Sequence, residues 1–189
     1  MKKTLQFSLL LTILISVALA AEEGKESKRE SYAAVVVGTG GSIGGQTLNL
    51  DINIDKYTSD QEIQEYLVIL AEEGQDELRK TLEKISVGRI APVATTGTDL
   101  SIARVYQTEE GKVIRLLTPR PVSFFEAYRR GRSMDYPFTI LEIHLNKEGK
   151  GEGAIMAGAQ LRFDKEGQLN IESYGNYQYA KVINVRSWD

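Results

Sequence analysis

Five arginines are interleaved with five aromatic residues in one stretch of the chain: Arg115, Arg120, Arg129, Arg130 and Arg132 with Phe124, Phe125, Tyr128, Tyr136 and Phe138. Glu126 is the only acid between positions 115 and 132, so that segment carries +4. A guanidinium fork beside an aromatic ring grips a carboxylate, sulfate or phosphate and stacks on the ring. Arg129, Arg130, Arg132, Tyr128 and Tyr136 are therefore the candidate ligand-binding residues. The competing reading is an ordinary loop whose aromatics lid the core while the arginines pair with surplus acids.

Acid–base chemistry rests on less. His144 is the only histidine, and Glu142 stands two residues before it on the same face of an alternating stretch. A hydrolase using His144 or a pair of carboxylates is the alternative function, but no Gly-x-Ser-x-Gly elbow occurs, and the catalytic residues stay unassigned. One histidine with carboxylates is a poor zinc ligand set. Asp51 to Glu62 places oxygen ligands at positions 1, 3, 5, 9 and 12 of a calcium loop. Position 6, where the sharp turn calls for glycine, is Lys56, so Asp51, Asn53 and Asp55 read as the solvent face of a strand. Val35 to Gly44 imitates a dinucleotide fingerprint, yet its last glycine comes one residue late and the next ordered segment is a strand. A strand offers no helix N-terminus for a pyrophosphate. Cysteine is absent, which removes disulfides, thiolate metal sites and thiol catalysis. No cofactor and no metal is expected.

The elements that must position these residues follow from periodicity. Tyr32–Val37 is β-branched, and Gln46–Asp55 alternates with Leu48, Leu50, Ile52 and Ile54 on one face, which predicts two strands. Thr58 or Ser59 can cap a helix whose apolar residues Ile63, Tyr66, Leu67, Leu70, Leu78, Leu82 and Ile85 recur at three and four. Gly74 divides that stretch into two helices. Pro92 and Thr95–Asp99 return the chain to a loop. Further strands are expected over Leu100–Gln107, Val113–Thr118, Phe138–Asn146, Gly153–Asp164, Leu169–Tyr174 and Val182–Arg186. Gly111, Gly149 and Gly167 end the polar turns between them, where a hairpin needs positive φ. About eight strands with one helical insertion after the second give an α+β class, mostly antiparallel β, as a curved sheet or β-barrel-like meander.

The N-terminus carries an export signal. Lys2 and Lys3 precede an apolar run from Leu5 to Leu19, and Ala18 and Ala20 stand where a signal peptidase reads, so cleavage is expected after Ala20. Residues 21–31 carry no large apolar side chain and read as a disordered leader, with a single globular domain over 32–189. Without residues 1–20 the chain has 21 basic and 26 acidic residues, a net −5 that argues against nucleic acid as partner. No membrane span is expected after cleavage.

Three stretches resemble a family of exported bacterial proteins with no assigned activity. They are Gly97–Arg104, Gly131–Phe138, and Arg162-Phe163-Asp164 with Glu172-Ser173-Tyr174-Gly175-Asn176. The resemblance implies export, periplasmic or secreted, and one shared domain. The expected function is a non-catalytic exported domain that binds a small or anionic ligand, or a partner, through the arginine–aromatic segment. A structural or interaction protein without a pocket is the third reading.

Overall fold

The computed structural model describes residues 29–39, 44–120, 135–173 and 179–188. The expected signal peptide, most of the leader, and Tyr128, Arg129, Arg130 and Arg132 lie outside the described residues.

Twelve elements follow one another: β1 (Glu30–Gly38), β2 (Thr47–Ile54), α1 (Asp60–Glu72), α2 (Gln75–Leu82), β3 (Gly88–Pro92), β4 (Thr98–Leu100), β5 (Ile102–Thr108), β6 (Gly111–Thr118), β7 (Phe138–Asn146), β8 (Lys150–Phe163), β9 (Leu169–Ser173) and β10 (Tyr179–Ser187). The class is α+β with a curved antiparallel sheet, and the helical insertion falls after the second strand, as periodicity implies. The strand order is β4-β3-β2-β1-β10-β8-β7-β6-β5, with β9 added to β8. The two edge strands, β4 and β5, are consecutive in the chain with only Ser101 between them. The backbone therefore bridges the two edges of its own sheet and leaves a nearly closed barrel. Ser101 N–H donates to the Leu117 carbonyl of β6 at 2.9 Å, which draws the seam together.

Two features depart from expectation. Strand β1 begins at Glu30, not Tyr32, because Glu30 and Ser31 pair with Ile54 and Asn53 of β2. Residues 88–100 hold the short hairpin β3–β4 instead of a loop, with Ile90 paired to both Ile52 and Thr98. The turn glycines behave as required, with Gly149 at φ 73° and Gly167 at φ 76°.

Strand alternation fills the barrel. Tyr32, Ala34 and Val36 of β1, Leu50, Ile52 and Ile54 of β2, Ile114 and Leu116 of β6, and Leu141, Ile143 and Leu145 of β7 all lie in one buried cluster. Each fully buried aliphatic side chain contributes roughly 1.5–3 kcal/mol, so truncating Ile52 or Ile143 to Ala would cost about 2–5 kcal/mol. A second cluster lies between the helices and the outward side of the sheet: Ile63, Tyr66 and Leu70 of α1 and Leu78 and Leu82 of α2 meet Leu117, Phe138, Ala159 and Leu161. Ser59 caps α1 in a reciprocal box, its Oγ accepting from Glu62 N–H at 3.2 Å while its own N–H donates to Glu62 Oε2 at 2.7 Å. The helices thus pack on the outer wall beside the end of the barrel where β6 finishes and β7 starts. The opposite end carries the starts of β1 and β6 and the β5–β6 and β7–β8 turns.

Candidate functional site

At that opposite end the inward rows change character. On β1 the row Val36, Ala34, Tyr32 continues to Glu30. On β6 the row Leu116, Ile114 continues to Lys112, and on β5 Ala103 and Val105 lead to Gln107. The row on β7 passes from Leu145 to Lys147 in the turn, and that on β10 from Val185 to Ser187. Because side chains repeat with period two, these polar residues form the last layer of the same interior that is aliphatic below. They line a cleft of about 530 Å³ together with Arg29, Tyr32, Thr108, Gly111, Asn146 and Gly149.

Glu30 is the anchor of this layer. One carboxylate oxygen, Oε2, accepts from Lys112 Nζ at 2.8 Å, from the Tyr57 hydroxyl at 2.7 Å and from the Tyr32 hydroxyl. Tyr57 reaches it from the segment after β2, and Lys112 Nζ also lies 5.7 Å from the centre of the Tyr32 ring, a cation–π distance. Burial works to raise the Glu30 pKa. The hydrogen bonds from Lys112, Tyr32 and Tyr57 outweigh it and hold the carboxyl below its ordinary value. Burial first, then the adjacent Glu30 carboxylate, push the Tyr57 phenol far above its ordinary range. At neutral pH Glu30 is therefore an ionised carboxylate that accepts from the hydroxyls of Tyr32 and Tyr57 and from Lys112 Nζ.

The rim adds charge. Arg29 Nε bonds Asp55 Oδ1 at 2.6 Å, and Lys150 Nζ bonds Glu148 Oε2 at 3.2 Å. Asn146 Oδ1 accepts from the backbone N–H groups of Glu148 and Lys150, each at 3.0 Å, which fixes the β7–β8 turn.

Sequence reasoning missed this site. Glu30 falls in the presumed leader, and Lys112 in a presumed turn. The available signal was the alternation Glu30, Tyr32, Ala34, Val36, whose period two extends the strand to its charged first member.

The residues singled out from sequence that the structure describes go elsewhere. Tyr136 is half-buried just before β7, and the arginines and tyrosine at 128–132 lie outside the described residues. Arg115 of that segment is committed to the outer face of the barrel. Its Nε donates to Glu142 Oε2 at 2.6 Å, and its guanidinium carbon lies 5.1 Å from the centre of the Tyr106 ring. Arg104, opposite Arg115 in register, also approaches that ring, at 5.8 Å. Glu142 Oε1 meets His144 Nε2 at 2.7 Å, so the two do share a face. The pair could orient the imidazole, but among the described residues no serine hydroxyl bonds to His144. The calcium-like oxygens are spread along β2. Residues 51 to 55 of an extended strand span about 13 Å, too far to converge on one ion. Asn53 Oδ1 instead accepts from the Ser31 hydroxyl at 2.8 Å. Gly38 and Gly45 close the β1–β2 hairpin, Gly45 N–H donating to Gly38 O at 3.0 Å, so a strand and not a helix follows the glycines. Among the described residues no three His, Cys, Asp or Glu side chains gather to hold a metal, and no helix is long and apolar enough to cross a membrane.

No family model, curated protein or solved structure matches this chain.

Proposed function

We propose that this chain is an exported, non-catalytic domain that binds a small polar ligand in the cleft at the open end of its barrel. The observation that carries the reading is the convergence of Lys112, Tyr32 and Tyr57 on one oxygen of Glu30 at the cleft wall. A polar layer fixed in this way before the ligand arrives reduces the ordering cost of binding. The cleft volume of about 530 Å³ falls within the usual range for small-molecule sites.

The electrostatics favour binding over catalysis, and the lining favours a polar over an apolar ligand. A general acid or base works best with a pKa near the operating pH, whereas Glu30 is displaced downwards and Tyr57 upwards. An apolar ligand would need an apolar wall, and the lining holds no aliphatic side chain larger than glycine while the interior below is filled with buried aliphatics. Export rests on the N-terminal signal, and intact mass of the exported form should begin at Ala21.

The test is a thermal-shift panel of organic acids, sugars, amines and inorganic phosphate against the protein and its Gln107→Trp variant. Gln107 is exposed at the cleft wall, so tryptophan there fills the cleft at little cost to the core. A saturable shift lost in the variant supports the reading. Shifts only from long-chain fatty acids would overturn it.

A further inference from the structure

We infer that the group recognised in this cleft is an oxyanion, a carboxylate or phosphate, taken up by Lys147, Lys112 and Arg29; the inference rests on the proposed cleft. Glu30 is the only carboxylate among the lining residues, and its Oε2 already takes three donors; Asp55, at the rim, takes Arg29 Nε. The acceptor oxygen of Asn146 is used by two backbone N–H groups, and that of Thr108 by Gly111 N–H at 3.1 Å.

Donors remain in surplus. An ammonium has three N–H groups, and Lys112 gives one to Glu30; a guanidinium has five, and Arg29 gives one to Asp55. Asn146 keeps its amide –NH₂ and Thr108 its hydroxyl proton. Lys147 is exposed in the β7–β8 turn, and among the described residues it pairs with no carboxylate. Among the lining residues Arg29, Lys112 and Lys147 are cations and Glu30 is the one acid, so the lining itself is net +2 in a chain whose formal charge is −3. Gln107 and Ser187 offer acceptors as well as donors, but the charged side chains of the lining are three cations against one acid, and that excess selects an anion.

Isothermal titration of the full chain with citrate, inorganic phosphate, glucose and putrescine tests this, run at low and high salt with Lys147→Gln and Gln107→Trp alongside. Citrate or phosphate should bind saturably and more weakly as salt rises. Lys147→Gln should weaken binding about fivefold or more at unchanged melting temperature, with Lys147→Arg restoring it. Gln107→Trp should abolish it. If glucose or putrescine binds in a Gln107→Trp-sensitive way while neither anion does, the anion assignment falls and the cleft stands. If the anions bind regardless of both substitutions, they bind elsewhere and the inference is overturned. If nothing binds, the cleft reading falls with it.

Discussion

The Ser101 hydroxyl, wholly buried, donates to the Leu82 carbonyl at 2.7 Å and lies 3.2 Å from that of Ile85. One residue thereby links the last turn of α2 to the point where the sheet's two edges meet. Its backbone N–H holds β6 while its side chain holds the helix.

Ser101→Ala should therefore loosen the seam without emptying the core. One lost buried hydrogen bond costs about 1 kcal/mol, or roughly 2–4 °C in Tm for a domain of this size. Thermal unfolding with unchanged far-ultraviolet circular dichroism is the check, and a Tm equal to that of the parent would refute the role.

Glu30 predicts a pH dependence. Its folded pKa lies below the ordinary value of 4.5, so its ionised form favours folding above that pH, and the contribution is lost as pH falls through the folded value. Glu30→Gln should be destabilised by about 2 kcal/mol at pH 7. In urea titrations the gap between variant and parent should narrow below about pH 4.5. A gap constant across pH 3–7 would count against an ionised Glu30.

Much of this architecture can be read from residue order, and the exceptions are physical. Leu48 to Ile54 alternates over a full strand, and Ile63 to Leu82 keeps a helical spacing, so β2, α1 and α2 stand out. β3 and β4 have five and three residues, with Pro92 and Asp99 inside them, and so offer too few periods to register. The site was hidden for a related reason: Glu30 and Lys112 are charged residues in inward rows, and hydrophobic patterning discards charges. The Arg115–Glu142 pair was hidden differently. Only the antiparallel register of β6 on β7 sets position 142 opposite 115.

That pair predicts an asymmetry. The Glu142 side chain is only 9% exposed and that of Arg115 17%, and among the described residues Arg115 Nη1 is buried without a hydrogen bond. Glu142→Ala would strand the guanidinium and should cost about 3 kcal/mol, whereas the double change Arg115→Met with Glu142→Leu should recover most of it. His144→Asn should cost under about 1 kcal/mol, its side chain being 59% exposed. Chemical denaturation of the four proteins decides between this order and simple additivity.

Gln75 makes a local prediction. Its Oε1 accepts from Leu161 N–H at 3.2 Å and its Nε2 donates to the Asp135 carbonyl at 2.9 Å, so the amide occupies the β8 edge just beyond β7. Gln75→Leu should cost about 1 kcal/mol. The Leu161 amide should exchange with solvent faster while the Ile143 amide keeps its protection; equal rates at Leu161 in both proteins would contradict the bridge.

β1 sits between β2 and β10, so the first strand of the barrel waits for the last. Until β10 emerges, the β1 edge from Tyr32 to Gly38 has no partner on one side, though hairpin pairing to β2 is available at once. Closing across so much intervening chain is slow, and an unpaired apolar edge invites pairing with other chains. A chain threaded outwards N-terminus first would expose that edge throughout its passage. Its yield would then depend on a holdase that shields β1, and a nonsense change between Ser173 and Tyr179 would release an aggregation-prone open sheet instead of a smaller barrel.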